Sequence, residues 1–150
     1  MVNASGKSRR RGVELSAEWR PTPELNLGAN YTYIDTRELD AGPGDALREV
    51  RRPKHTANVY GDWQFDRLTL GGTLAYVGER IDSDFDLFPA PRVELGDYLL
   101  ASFRVAYRVT DSLEAFARIE NAGDANYQDV VGYETPGRTI YAGLRVRLGR

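Results

Sequence analysis

Seven stretches of the chain alternate apolar and polar residues with a period of two, which is typical of β-strands with one apolar and one polar face. Each stretch has about the 9–11 residues that a tilted strand needs to cross a bilayer, or slightly more. The predicted strands are Gly12–Arg20, Leu25–Thr36, His55–Phe65, Leu68–Arg80, Tyr98–Thr110, Leu113–Asn121 and Thr139–Leu148.

The connections between these strands alternate strictly between short and long. The short ones are Pro21–Glu24, Asp66–Arg67 and Asp111–Ser112, and the long ones are Arg37–Lys54, Ile81–Asp97 and Ala122–Arg138. Outer-membrane barrels have this layout, with tight periplasmic turns and extended extracellular loops. The pattern predicts an all-β fold: an antiparallel transmembrane β-barrel section of about seven strands, arranged as a meander, with every long loop outside the cell.

The apolar positions of the predicted wall, which recur at every second residue as far as Tyr33 in the second strand and Tyr76 in the fourth, include no charged residue. In the fourth strand, for example, it holds Leu68, Leu70, Gly72, Leu74 and Tyr76. A charge at the middle of a bilayer costs about 2–4 kcal/mol, so this face is expected to contact lipid. The opposite face holds Glu14, Glu18, Arg20, Asn26, Asn30, Asp62, Gln64, Arg104, Arg108, Glu114, Arg118, Glu120, Arg145 and Arg147, and is expected to line a wet lumen. Aromatic residues near strand ends suit interfacial belts: Trp19, Tyr33, Trp63, Phe65, Tyr76 and Tyr107.

A soluble barrel or sandwich is the main alternative, because alternation alone does not say which face is the core.

Composition excludes some kinds of site. The 150 residues include no cysteine, so disulfides and thiolate metal sites are excluded. The net charge of −2 is unremarkable. A basic cluster, Lys7 with Arg9, Arg10 and Arg11, precedes the first predicted strand, but the other arginines are scattered along the lumen face, so no nucleic-acid partner is expected.

Short motifs follow one another along the chain. They are Ser8–Glu14 (SRRRGVE), Tyr31–Asp35 (YTYID), Leu47–Lys54 ending in RRPK, Gly78–Phe85 (GERIDSDF), Ile119–Asp124 (IENAGD) and Gly132–Arg138 (GYETPGR). In these motifs the chain resembles the C-terminal section of the β-barrel of TonB-dependent outer-membrane receptors, and most of all the cobalamin (vitamin B12) transporters. The resemblance implies a bacterial outer-membrane location, lipid contact, and transport rather than enzymatic activity.

The resemblance also sets expectations for the organisation of residues 1–150. The family's N-terminal plug domain and TonB-contacting segment have no counterpart here, so we expect only the C-terminal barrel section, reaching TonB through a part that lies elsewhere. No apolar signal segment follows Met1, and the strand number is odd, which also suggests a section of a larger barrel. The family usually ends on an aromatic residue, whereas Leu148 holds that place here and Gly149 and Arg150 follow.

The resemblance implies two ligand-binding residues at the extracellular mouth. In cobalamin transporters these are the first arginine of the pair before the third strand here and an aromatic residue in the acidic loop after the fourth. The two positions fall on Arg51 and Phe85. A guanidinium can donate several hydrogen bonds to carbonyl or phosphate oxygens, and a ring can lie against a macrocycle. Phe85 stands at what resembles a tyrosine position, so a hydroxyl contact is lost. The alternative is that Arg51 is a rim charge and Phe85 a loop anchor.

Other chemistries find less support in the sequence. Asp82, Asp84 and Asp86 alternate as calcium ligands could, but the glycine and bidentate glutamate of a calcium-binding loop are lacking, so a solvated acidic loop is favoured. His55 is the sole histidine and no nucleophile motif surrounds it, so we expect no catalytic residue, metal or cofactor.

The sequence thus predicts part of a transporter for cobalamin or a similar large chelate such as a siderophore. A second hypothesis is a small autonomous outer-membrane barrel with a structural or adhesive role, closed by Val2–Arg11 as an eighth strand. The open edges of a fragment would favour aggregation or edge-to-edge pairing.

Overall fold

The fold is a single curved wall of antiparallel strands with a small hairpin at one end. The computed structural model describes residues 7–39 and 47–148, which form nine strands. Their bounds are β1 Ser8–Thr22, β2 Leu25–Glu38, β3 His55–Phe65, β4 Leu68–Val77, β5 Arg80–Ser83, β6 Arg92–Leu95, β7 Tyr98–Arg108, β8 Leu113–Glu120 and β9 Thr139–Val146. Seven strands form one sheet in the order β1-β2-β3-β4-β7-β8-β9, and β5 and β6 form a separate pair. The predicted antiparallel meander is confirmed.

No helix in the described ranges is both long enough and apolar enough to cross a membrane.

The first strand is longer than the alternation predicted. It begins at Ser8 rather than Gly12, because Ser8 to Arg11 pair with Glu38 to Asp35 of β2. The hypothesis of a separate eighth strand, Val2–Arg11, included these residues; for Ser8 to Arg11 it is wrong, since they continue β1. Residues 2–6 of the proposed eighth strand lie outside the described residues. β1 and β9 lie at opposite edges of the sheet.

The predicted fourth strand divides into two. β4 ends at Val77, and the Gly78 amide donates to the His55 carbonyl at 2.8 Å. Arg80 then begins β5, which pairs with β6 from Arg80 opposite Leu95 to Ser83 opposite Arg92. The predicted loop Ile81–Asp97 therefore contains a hairpin. The remaining strands match their predicted bounds to within about two residues, the usual uncertainty of strand ends.

The register confirms which residues share a face. Val59 lies opposite Ala29 and Leu74, whereas Asp62 lies opposite Asn26 and Gly71. Residues of the predicted apolar face pair with each other along all seven strands, except at two strand ends, where Thr22 lies opposite Leu25 and His55 opposite Tyr33. Since directly opposed side chains point to the same side of a sheet, the wall has one apolar face, called the outward face below. The charged strand residues that share it lie beyond Val13 and Tyr33, at the long-loop end.

The outward face is exposed. Val59 is 52% exposed and Ile140 is 70% exposed, and within the described residues the one buried hydrophobic side chain is Leu95, outside the wall. A soluble sandwich or barrel would bury this face in a core, whereas the described residues place no second layer over it. A wall whose apolar side is left uncovered by protein is what lipid contact requires.

Aromatic side chains mark both ends of the outward face. Trp19, Trp63, Phe65 and Tyr107 are exposed near the short-turn end, and the rings of Trp63 and Phe65 lie 5.6 Å apart. At the long-loop end the Tyr31 hydroxyl lies 2.7 Å from Nδ1 of His55, and the rings of Tyr33 and His55 lie 5.2 Å apart. Tyr76 lies at this end as well. The sole histidine is therefore part of an aromatic cluster of the wall.

The lumen face balances its charges within the wall. Arg104 pairs with Asp62, and Arg145 pairs with Glu114. The Arg118 guanidinium lies 4.3 Å from the centre of the Tyr141 ring. These contacts pair charged side chains with neighbours on the same face, which is consistent with a polar, water-accessible interior.

Candidate functional site: a cleft at the long-loop end

Segments from the three long connections enclose a cleft of about 530 Å³ at the long-loop end of the sheet. Its lining consists of Arg51, Ser83, Asp84, Phe85, Asp86, Val130, Val131, Gly132 and Tyr133, which together are called the mouth cleft. Both residues that the resemblance singled out, Arg51 and Phe85, therefore face the same space. They come from different connections, and only the fold brings them together.

The mouth cleft is held together by one buried carboxylate. Asp82 is 0% exposed. Its Oδ1 accepts hydrogen bonds from Nε of Arg51 and from the Ser83 amide, both at 2.8 Å, and its Oδ2 accepts from the Val131 amide at 3.0 Å. One side chain thus joins the segment before β3, the β5 strand and the loop between β8 and β9.

These hydrogen bonds also set the ionisation of Asp82. Burial by itself raises the pKa of a carboxyl group, but the bonds from Val131, Arg51 and Ser83, with the charge of Arg51, outweigh it and hold the pKa of Asp82 below its usual value. Asp82 is therefore a carboxylate at neutral pH. The sequence suggested only a calcium ligand or a solvated acid here, so its anchoring role was missed.

Arg51 is fixed by its backbone as well as its side chain. Its φ of 59° lies in the left-handed region, which costs a non-glycine residue about 1–2 kcal/mol. Its amide donates to the Ile81 carbonyl at 2.6 Å. Asp82 engages Nε, so the two terminal nitrogens take no part in that contact, and 46% of the side chain is exposed. The arginine is thus tethered while its outer end faces the cleft.

Two aromatic side chains flank the same space. Phe85 is 75% exposed and Tyr133 is 72% exposed, and they come from different connections. Tyr133 was missed as a site residue, although the GYETPGR motif that contains it was recognised as family-like. The cleft therefore offers a cation, two rings and a phenol hydroxyl.

The three aspartates of the acidic segment do not converge on one point. Asp82 faces Arg51 and backbone donors, and Oδ1 of Asp84 accepts from the Asp86 amide at 3.0 Å. Across residues 7–39 and 47–148, no group of three or more acidic, histidine or cysteine side chains is arranged to hold a metal ion. The calcium alternative gains no support from this geometry.

The loop between β8 and β9 is anchored at two further places. Arg80 is 3% exposed, and its guanidinium donates to the Gln128 and Asp129 carbonyls. Its Nη2 also lies 3.0 Å from Oδ1 of Asp129. Asn121, 6% exposed, bonds both the amide and the carbonyl of Ala125, at 2.8 and 2.9 Å. Together with the bond from the Val131 amide to Asp82, the contacts of Arg80 hold this loop against β5.

The family assignment follows from the sequence profile of the TonB dependent receptor-like β-barrel family, which matches residues 1–122. The chain belongs to this family. Members of the family are outer-membrane transporters rather than enzymes, so this chain is part of the wall of a bacterial outer-membrane receptor.

Solved structures show the same fold. The ferripyoverdine receptor of Pseudomonas aeruginosa matches with a TM-score of 0.79 and 21% identity over 94% of this chain. The ferric-catecholate import receptor Fiu of Escherichia coli K12 matches with a TM-score of 0.78 and 21% identity over 94%. The siderophore receptor PiuA of Acinetobacter baumannii matches with a TM-score of 0.76 and 19% identity over 94%. The chain covers 20%, 21% and 22% of these proteins, so it spans about a fifth of their length.

Proposed function

We propose that the mouth cleft is part of the ligand-binding site of a TonB-dependent transporter for a large metal chelate. The observation that supports this best is the convergence of Arg51 and Phe85, from separate connections, on one cleft at the long-loop end. In outer-membrane barrels that end faces the outside of the cell.

The cleft is organised before a ligand arrives. Asp82 holds Arg51 at Nε, and the backbone of Arg51 is held by Ile81. A side chain that is already positioned loses less conformational entropy on binding, which raises affinity. We therefore assign Arg51 the role of donating hydrogen bonds to carbonyl or acidic oxygens of the chelate.

The rings supply the second part of the contact. Phe85 and Tyr133 both line the cleft, are largely exposed, and can lie against a planar or macrocyclic ligand. Tyr133 also offers a hydroxyl, which compensates for the hydroxyl that Phe85 lacks. The cleft volume of about 530 Å³ is in the range of pockets for drug-sized ligands, so it holds only part of a larger chelate.

Two ligand classes fit this chemistry. Ferric siderophores are favoured by the similar structures, which are receptors named for ferripyoverdine, ferric catecholates and siderophores. Cobalamin is favoured by the motifs around Arg51 and Phe85, and its amide side chains and phosphate offer acceptors for Arg51. Both ligands are large, anionic or amide-rich chelates, and binding assays separate them.

The test uses the full-length receptor that contains this chain, titrated with cyanocobalamin, a ferric hydroxamate and a ferric catecholate. Arg51→Gln removes a charged donor worth about 1.5–3 kcal/mol, so affinity for the true ligand falls about 10- to 100-fold. Phe85→Ala is expected to weaken binding by a similar factor, because a buried aromatic contact is lost.

Matched controls lie next to each residue. Arg52→Gln removes the neighbouring charge, and Leu87→Ala truncates another exposed side chain of the same loop; neither residue lines the mouth cleft. Both controls should bind within about twofold of the unmodified receptor, because no ligand contact is lost. Unchanged affinity in Arg51→Gln and Phe85→Ala for all three ligands would contradict the proposal.

A further inference from the structure

The run of three arginines at the start of β1 is divided between the two faces of the sheet. Arg9 and Arg11 have the same parity as Val13, which lies on the outward face, whereas Arg10 points to the lumen side and bonds Oε2 of Glu49 at 3.0 Å. Strand alternation fixes this division, because successive side chains point to opposite faces. The two outward arginines are not used by the mouth cleft.

A third arginine joins them from the neighbouring strand. Arg37 of β2 lies directly opposite Arg9, and Arg11 lies opposite Asp35. Asp35 is the one carboxylate on this part of the outward face in the described residues, and its Oδ1 lies 3.4 Å from Nε of Arg37. The cluster of Arg9, Arg11 and Arg37, called the basic surface below, therefore carries three positive charges against one negative charge.

The arrangement is unfavourable unless an anion binds. Like charges directly opposite each other in an antiparallel pair destabilise the sheet. Across residues 7–39 and 47–148, no carboxylate lies within salt-bridge distance of Arg9 or Arg11, although both are exposed. Two guanidinium groups on adjacent strands can both donate hydrogen bonds to one phosphate that lies between them.

The position of the basic surface, just beyond the end of the outward apolar column, favours a lipid headgroup as its partner. The outward apolar column of β2 ends at Tyr33. Arg11 lies two residues beyond this level and Arg9 and Arg37 lie four beyond it, about 7 and 13 Å along the strand. Strand tilt reduces these heights, which place Arg11 in the headgroup layer that borders the hydrocarbon core and Arg9 and Arg37 at about its outer edge. Arginine stems can lie along apolar surface while the charged ends remain in this layer.

We infer that Arg9, Arg11 and Arg37 bind phosphate groups of the phosphorylated glycolipid, lipid A, that forms the outer leaflet of the outer membrane. The long-loop end carries this surface, and that end faces the outer leaflet. The inference rests on the membrane orientation of the wall and is independent of the ligand of the mouth cleft. Basic residues at a membrane surface each strengthen binding to anionic lipid by about fivefold.

The test is a lipid titration of the full-length receptor in mild detergent, followed by native mass spectrometry. The lipids are bis-phosphorylated lipid A, the same lipid without its phosphates, and phosphatidylglycerol. The variant Arg9→Gln/Arg11→Gln/Arg37→Gln should bind bis-phosphorylated lipid A at least tenfold more weakly than the unmodified receptor. Added salt should weaken binding of the unmodified receptor and have little effect on the variant.

The matched control is Arg20→Gln/Arg108→Gln/Arg147→Gln, which removes the same charge at the short-turn end of the wall and should bind normally. A heat-dependent gel shift checks that each receptor is folded; if the test variant fails it, Arg9→Gln alone, which removes the repulsion with Arg37, replaces it. The inference is overturned if the variant binds as the unmodified receptor does. It is also overturned if dephosphorylated lipid A or phosphatidylglycerol binds as tightly as the phosphorylated glycolipid.

Discussion

Arg51 and Asp82 form an ion pair in which only the acid is buried. Nε of Arg51 lies 2.8 Å from Oδ1 of Asp82, and the exposed fractions of the two side chains are 46% and 0%. The carboxylate is enclosed by backbone donors from Ser83 and Val131, so its charge is shielded from water. The pair therefore works as an internal anchor whose cationic end is presented to the mouth cleft.

We expect Asp82→Asn to loosen the mouth cleft without unfolding the wall. The amide keeps the shape of the carboxylate but loses its charge, so the bonds to Arg51 and Val131 weaken. A hydrogen bond to a charged group is worth about 1.5–3 kcal/mol, so the Val131 amide should exchange about 10- to 100-fold faster. Hydrogen exchange of the full-length receptor measures this, with Asp86→Asn, an exposed acid of the same loop, as the control. Equal protection of Val131 in both variants would show that Asp82 is no anchor.

The hydrogen bonds of the Asp82 carboxylate should weaken only in strong acid. The pKa of Asp82 in the folded protein lies below its usual value of 3.8, so its stabilising contribution is complete above that pH and is lost as the pH falls through the lowered pKa. Protection of the Val131 amide, corrected for intrinsic exchange, should stay constant from neutral pH down to about pH 4. Asp82→Asn should remove the acid-induced loss. A loss of protection already at pH 5 to 6 would mean that burial dominates the pKa.

The two faces of β3 should differ in how much stability one inserted charge costs. Val59 points outward near the middle of the strand, and its neighbour Asn58 points to the lumen. Val59→Arg places a cation in the hydrocarbon and should lower the free energy of unfolding by about 2–4 kcal/mol. Asn58→Arg should change it by less than about 1 kcal/mol, because the lumen is wet. Urea unfolding in lipid vesicles compares the two, and similar losses would argue against a lipid-facing Val59.

Asn121 should control the loop that carries Tyr133. Its φ of 49° is left-handed, and its side chain bonds Ala125 at two atoms. Asn121→Gly keeps the backbone conformation accessible and loses only the bonds, at a cost of about 1–3 kcal/mol. Asn121→Ala adds about 1–2 kcal/mol of backbone strain. Local hydrogen exchange of residues 122–138 should therefore increase in the order unmodified, glycine, alanine, and any other order contradicts this account.

Much of the wall could be predicted from residues alone. The set of residues that share a face with Val59 follows from a period of two, which local sterics impose on every strand. Alternation failed at Arg9, Arg10 and Arg11, which carry no apolar signal, because their strand structure comes from pairing with β2. It also failed at β5 and β6, whose four residues each are too few to show a period.

Some residues of the mouth cleft could likewise be predicted from the sequence, and others could not. The resemblance selected Arg51 and Phe85 one by one, but not the buried carboxylate of Asp82 or the ring of Tyr133, which become neighbours of Arg51 only when separate connections fold over β5. The sequence by itself determined the strands and which residues share a face, because these depend on local periodicity; the membrane location came from the family motifs together with that pattern. The tertiary structure decided the anchor, the cleft and the opposition of Arg9 to Arg37, because contacts between distant segments depend on register and loop packing, which no local pattern encodes.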